Sequence, residues 1–423
     1  MAQVNDSVLI IGAGVFGIST AYHLLTRGFT DVTVLERAET LPPADGTSND
    51  FNRIVRTSYD DPFYAKLAHD AIQSWKNREL FGDSYQESGV LVLGSSNSYA
   101  EQSYKSDAAL GLRLKRLENA DAIRGIFPDG VKVGSFDNIT GYLNFDGGWA
   151  HAANGVSALT AKVIQLGGKV IPGKTVSELL REDDKTVGVR CKDGSSFRSK
   201  YTIVATGAWT PSNFPALNLQ DKFVATGQCV TMVQLTPEEA ETYRDIPVVL
   251  DFDSGFYCFP PSAENILKMA IHSRGYTHTK DAISTPRTVI SDGEDGLRIP
   301  KASLNELRTR FKEVYPELAN KPLLRTRLCW YTDTQDGDWV IGSHPKDSAL
   351  IFATAGNGHA YKFLPVIGRL VADVLEGKME PAVTKKFAFD REVDHTDSSR
   401  AGKERQELDL GQLCTSEDLA RTA

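Results

Sequence analysis

Three glycines and an acid near the start of the chain carry the spacing of a phosphate-binding turn. In Val8-Leu9-Ile10-Ile11-Gly12-Ala13-Gly14-Val15-Phe16-Gly17, four apolar residues read as a buried parallel strand that turns into a helix. Gly12 permits the tight turn, Gly14 lets a pyrophosphate approach the backbone, and Gly17 lets helix and strand pack closely. Val15 and Phe16 belong to the same turn. A second strand, Val32-Thr33-Val34-Leu35, ends in Glu36, where an acid binds a ribose hydroxyl, followed by Arg37. A lone GxGxxG is a weak sign, since a glycine-rich turn can hold nothing. Strand, glycines, helix, strand and acid in that order read as a dinucleotide site.

Other residues able to do chemistry are less specific by themselves. Arg53 and Arg56 follow in Asn49-Asp50-Phe51-Asn52-Arg53-Ile54-Val55-Arg56, and taken alone they read as a surface ion-pair cluster. Lys268 shares one face of the alternating strand Ile266–His272 with Ala270, commonly an exposed position. By the same two-residue period His272 falls on that face. The five cysteines, Cys191, Cys229, Cys258, Cys329 and Cys414, are odd in number and show no CxxC pair. Such spacing argues against a disulfide framework or a zinc site and for a reducing compartment. We expect no metal.

The elements that must position these residues come from a chain of ordinary composition. Its 423 residues, 41% hydrophobic and 24% charged, allow two domains with sizeable cores. A net charge of -8 argues against a nucleic-acid or anionic-membrane partner. The first apolar run is too short to span a bilayer and no basic segment precedes it, so neither a transmembrane helix nor a signal peptide is read there. The ending Ala-Arg-Thr-Ala is not a Ser-Lys-Leu signal, and the expected location is intracellular, in the cytoplasm.

Nucleotide-fold fragments return far along the chain. Gly147-Gly148-Trp149-Ala150 leads into a helix and the strand Lys169-Val170-Ile171, with Val176 beyond it. Tyr201–Val204 is another buried strand, ending in Ala205-Thr206-Gly207-Ala208. Ala349–Gly356 precedes Asn357-Gly358-His359-Ala360-Tyr361-Lys362, whose amides can face an anion or a polar ring edge. The expected fold is α/β with a discontinuous cofactor domain from 1–89, 146–215 and 325–390. A substrate domain would come from 90–145 and 216–324, and 391–423 would form a polar tail. The stretch 277–296, rich in Thr, Ser, Asp and Gly, reads as a long mobile loop with few apolar anchors.

Seven motifs in this order, IIGAGVFG, SNDFNRIVR, DGGWAHA, VATGAW, GFYCFP with KMAIH, RLCWYTDT and GNGHAYKFLP, extend the reading. The chain resembles the FAD-dependent amine oxidases that include monomeric sarcosine oxidase, saccharopine and pipecolate oxidases and fructosyl amino acid oxidases (amadoriases). The resemblance covers the chain to about residue 390, and the SNDFN loop looks like the fungal branch. It implies a Rossmann-like FAD domain beside a mixed-sheet, α+β substrate domain, as in sarcosine oxidase and D-amino-acid oxidase. It also implies a monomer that takes a small amine and O2.

The resemblance implies roles residue by residue. Lys268 would lie over the flavin and stabilise the anion formed when O2 is reduced. Arg56 and Lys362 would hold a substrate carboxylate, the first as a fork and the second as a point charge. Tyr257, His272 and Tyr331 would line the substrate cavity, each of them by itself a plain core aromatic or satisfied histidine. Arg53, Ser48, Asn49, Val176, Gly358 and His359 would sit with the cofactor, Asn49 replacing the histidine of sarcosine-type enzymes. Cys329 would bond the FAD 8-methyl as a thioether, although a lone strand cysteine is usually a small buried hydrophobe. Cys414, a thiol expected to be exposed in the polar tail, is the competitor.

The implied reaction is oxidation of a secondary, N-methylated or N-alkylated amino-acid-like amine to an imine, with O2 leaving as H2O2. Hydrolysis would follow, or capture of the imine by C–C bond formation as in alkaloid-type pathways. A dehydrogenase using another acceptor and a flavin-binding protein without activity are the readings from other classes. The residues do not name the substrate.

Overall fold

The apolar run Val8–Ile11, buried at all four residues, lies inside a six-stranded sheet. The strands run Val340–His344, Asp347–Thr354, Tyr201–Val204, Val8–Ile11, Val32–Leu35 and Lys169–Ile171 across it. Neighbours are parallel except for the antiparallel edge pair Val340–His344 and Asp347–Thr354. Parallel strands buried on both faces account for the continuous apolar runs. Helix Val15–Thr26 leaves the first strand and packs against helices Ala152–Gln165 and Ile367–Glu376. This computed structural model describes residues 1–95, 98–393, 395–400 and 404–421.

A ten-stranded mixed sheet forms the second layer system. Its long strands Val224–Gln234 and Leu323–Asp333 pair antiparallel, with Gln228 opposite Cys329 and Thr226 opposite Tyr331. Ile266–Ile271, carrying Lys268, pairs along the other edge of Val224–Gln234. Helix Lys301–Val314 covers one face with Leu304, Leu307 and Phe311. Leu323–Asp333 thus runs in this larger sheet, across the expected boundary at residue 325, and the chain re-enters the six-stranded sheet at Val340. Between the two systems a small sheet pairs Arg53–Val55 and Tyr85–Gln86 with Gly148–Ala150. It fixes the stretch that carries Arg53 and leads into Arg56.

Two expectations about mobile or exposed segments need correction. The stretch 277–296 is anchored: Ser284 Oγ donates to Ala225 O at 2.6 Å, and the Arg287 carbonyl accepts from Trp330 Nε1 at 2.6 Å. Backbone carbonyls, which composition does not display, supply these anchors. The terminal segment is not merely polar tail either. Gln406–Glu407 adds a parallel strand beside Tyr276–Thr277, and Leu408, Leu413 and Cys414 fill the core of the larger sheet. Among the described residues no helix is long and apolar enough to cross a membrane.

Candidate active site

The glycine turn has the geometry its spacing predicts. Gly12 adopts φ +109°, and a Cβ there would stand 2.5 Å from Ala205 O. A Cβ on Gly17 would lie 1.9 Å from Gly12 O, so this position admits only glycine without backbone movement. Gly14 differs, because its added Cβ would meet only Ser48 Oγ at 3.4 Å. Its free side faces a cleft also lined by Val15, Phe16, Glu36, Arg37, Ser48 and Val176. Ser48 Oγ accepts the Val15 N–H at 3.2 Å, and Glu36 accepts the N–H groups of Ala13 at 2.9 Å and Ala38 at 3.1 Å. Arg37 pairs with Asp45 and stacks over Trp209, 3.9 Å from the ring centre.

The cleft runs on past Thr206–Trp209 to Arg53, Trp330–Thr332 and Gly358. The glycine cradle and the acid fit an FAD, which the cleft residues from Gly14 to Tyr331 would hold.

A second cavity shares Arg53, Tyr331, Gly358 and Tyr361 with the cleft, and so opens where the ring would end. Arg56, Tyr257, His272, His359 and Lys362 line it. Arg56 is buried, donates to Ser58 O and lies 4.6 Å from the Tyr59 ring centre. Lys362 Nζ donates to Tyr59 Oη and to His359 O, both at 2.8 Å. No described carboxylate pairs with either cation. Burial, followed by the neighbouring Arg56, pushes the Lys362 ammonium well below the ordinary lysine value. Burial, then Arg400, takes His272 down to about 3, so its ring is neutral at physiological pH. Burial raises the Tyr257 phenol to about 12.

Lys268 does not face this cavity. Its ammonium is buried, donating to Asp50 Oδ2 at 2.9 Å and to Asn52 O at 2.7 Å, between the rings of Phe51 and Phe259. His272 follows the end of its strand and turns toward Ser399, 3.4 Å away. Asn49 opens on a separate cleft with Phe51, His151, Arg325 and Arg327.

Cys329 Sγ lies 3.4 Å from Arg53 Nη2, in a cluster with Tyr331. Cys414 is not exposed, as composition implied, but 1% accessible against Thr326, among residues that fill the core of the larger sheet. The alternation of the strand puts Thr326 and Cys329 on opposite faces. Cys414 therefore lies across the strand from Cys329 and does not line the cleft.

Four contributors escaped the sequence reading. Asp50 pairs with Lys268 and Arg53, and Tyr59 bonds Lys362. Ser399 lines the cavity, and Arg400 pairs with Asp333 at 2.6 Å. Asp50 stands inside the SNDFN motif, a visible signal. The other three come from segments whose patterns are unremarkable.

Fold and cleft together define a flavoprotein of the two-domain oxidoreductase class. The family model for FAD dependent oxidoreductases, DAO, matches residues 7–374, and the chain belongs to that family. It is 30% identical over 401 residues to L-saccharopine oxidase of Schizosaccharomyces pombe, covering 89% of this chain and 91% of that protein. It is 27% identical to monomeric sarcosine oxidase of Bacillus sp., covering 89% and 94%. Among solved structures, fructosyl peptide oxidase from E. terrenum superposes with a TM-score of 0.87 at 27% identity, covering 96% of this chain and 97% of the other. These relatives are flavin oxidases of amines and amino acids, and the chain is an FAD-dependent oxidase of the same kind.

Proposed function

We propose that the chain oxidises a secondary amine bearing a carboxylate, an N-alkylated amino acid, to the imine. The observation that carries this reading is the pair Arg56 and Lys362. Two buried basic side chains without a described carboxylate partner, of which Arg56 keeps its charge, line the cavity that meets the cofactor cleft. Burying unpaired charge is costly, so an anionic ligand is the natural complement. The names of the relatives, saccharopine and sarcosine oxidases and fructosyl peptide oxidase, support the substrate class.

FAD, held by the cleft residues, would supply a two-electron acceptor when bound. Arg56 and Lys362 hold the carboxylate, while Tyr257, His272 and Tyr331 wall the carbon that loses hydrogen. The neutral His272 adds no charge there. Two electrons and two protons leave the amine as the C=N bond forms, and O2 takes up two of each to leave as H2O2. Lys268 is the cation assigned to that oxygen step, which favours an oxidase over a dehydrogenase. We assign Cys329 as the flavin attachment point, the segments 1–89, 146–215 and 325–390 to the cofactor, and a monomer as the working unit, as the name monomeric sarcosine oxidase supports.

The test is anaerobic mixing of the yellow protein with sarcosine, pipecolate, saccharopine, N-methyl aromatic amino acids and fructosyl amino acids in turn, followed by air. Bleaching of the flavin band by one of them, reversed by O2 with peroxide formed, is the expected result. A flavin untouched by every amine would sink the reading.

A further inference from the structure

The hydrogen bonds around Lys362 have a direction. His359 Nε2 lies 3.1 Å from Gly337 O, a group that only accepts, so Nε2 carries the proton. His359 Nδ1 is then the acceptor for Tyr59 Oη at 3.0 Å. With its proton given to His359, the Tyr59 oxygen accepts from Lys362 Nζ. The run Lys362, Tyr59, His359, Gly337 therefore leads donors away from the cavity. Lys362 spends two N–H groups on Tyr59 Oη and His359 O, and the residue lines the cavity with one position on Nζ left over.

The charged surroundings of that position are lopsided. Arg56, without a described carboxylate partner, comes from the segment after the small sheet, whereas Arg53, from the sheet itself, is paired with Asp50. His272 and His359 are half-buried and held neutral. Tyr59, Tyr257 and Tyr331 all have raised phenol values and stay uncharged. From the terminal segment Asp397 contributes a carboxylate, but Arg400 holds it at 2.8 Å. Arg56 is thus the charge that acts on a dehydrated lysine, the condition under which an amine gives up its proton. An amino acid with an ammonium nitrogen enters the site carrying the proton such an amine lacks.

We propose that Lys362 is the general base that takes the proton from the substrate ammonium as the carboxylate docks on Arg56. This rests on the amino-acid reading above. The substrate N–H bond breaks, its electron pair stays on nitrogen as the lone pair that oxidation requires, and the proton bonds to the lone pair of Nζ. No electrons are exchanged, and net charge is conserved. The product state pairs a neutral substrate amine with a Lys362 ammonium facing the carboxylate, so one residue deprotonates the substrate and then binds it.

The test uses the holoenzyme and propanoate, a carboxylate with no amine to deliver a proton. Binding is read by perturbation of the flavin spectrum and by calorimetry in buffers of different ionisation enthalpy. At pH about 8 the wild type is expected to take up roughly one proton from buffer per propanoate bound. Lys362→Met should bind it more weakly and take up none. Binding by the wild type without proton uptake overturns the proposal while leaving the carboxylate site intact. Uptake that persists in Lys362→Met overturns it as well, by moving the base elsewhere. Failure of the wild type to bind any carboxylate overturns the amino-acid reading and this inference with it. If Lys362→Met does not hold FAD, Lys362→Arg, whose guanidinium cannot be deprotonated, takes its place and should bind propanoate without uptake, and uptake that persists in it overturns the proposal.

Discussion

The ammonium of Lys268 and the carboxylate of Asp50 lie 2.9 Å apart, with both side chains closed to water. Burial pulls Lys268 down to about 7, Asp50 works against that fall, and Arg53 adds to it. Arg53 and Lys268, against the opposing effect of burial, hold Asp50 well below the usual carboxylate range. The lysine is cationic below its own value and neutral above it. If the cation serves oxygen reduction, the reoxidation rate falls as pH rises through about 7. Lys268→Met should abolish that dependence and slow reoxidation by about 100-fold or more, the scale of a lost charge-stabilising donor. Stopped-flow measurement of the two half-reactions checks it, and equal losses in reduction and reoxidation would refute the assignment.

Cys329 sits beside Arg53 where the cleft ends, whereas Cys414 packs across the strand from it. The expected outcome is that flavin stays with the wild-type chain after denaturation and leaves Cys329→Ser completely. Cys414→Ser should retain it. Flavin released intact from the denatured wild type would show that no thioether forms.

How much of this was legible in the sequence follows the range of the interactions. The turn at Gly12, Gly14 and Gly17 is a local motif, and strand, helix and acid follow in the order its spacing requires. The placements of Arg56, Lys362, Tyr257 and Tyr331 came from resemblance, and the structure brings them to one cavity. Lys268 looked like an exposed strand position because a partner 218 residues away, Asp50, cannot be seen in alternation. Cys414 looked exposed for the same reason. A polar tail conceals three residues, Leu408, Leu413 and Cys414, that complete a core built elsewhere.

The guanidinium of Arg56 is fixed by the Ser58 carbonyl, the Tyr99 side chain and the Tyr59 ring in the cavity wall, where it can meet a carboxylate. Lysine at this position keeps the charge and loses the two-pronged geometry. Arg56→Lys should raise KM for an amino-acid amine by about 10-fold or more, the scale of one charge-assisted hydrogen bond. Its effect on the limiting rate of flavin reduction should be smaller. An unchanged KM would place the carboxylate elsewhere.

Gly14 and Gly17 separate cofactor binding from folding. At Gly17 a methyl group would meet a backbone carbonyl at 1.9 Å, and no rotamer change relieves a contact with main chain. Gly17→Ala should therefore destabilise even the FAD-free chain by roughly 3 kcal/mol or more, through strain in the central strand–helix unit. At Gly14 the same methyl has a single neighbour, Ser48 Oγ at 3.4 Å, an ordinary contact at the edge of the cleft. Its φ is not in the left-handed region, and the backbone accepts alanine. The methyl instead occupies the approach of the pyrophosphate, so Gly14→Ala should leave the melting temperature of the apoprotein nearly unchanged while FAD affinity drops. Thermal melting of both apoproteins, with FAD titrated into each, distinguishes the two glycines. A Gly14→Ala protein that binds FAD like the wild type would mean that the pyrophosphate lies elsewhere in the cleft, and the assignment of Glu36 to the ribose would fall with it.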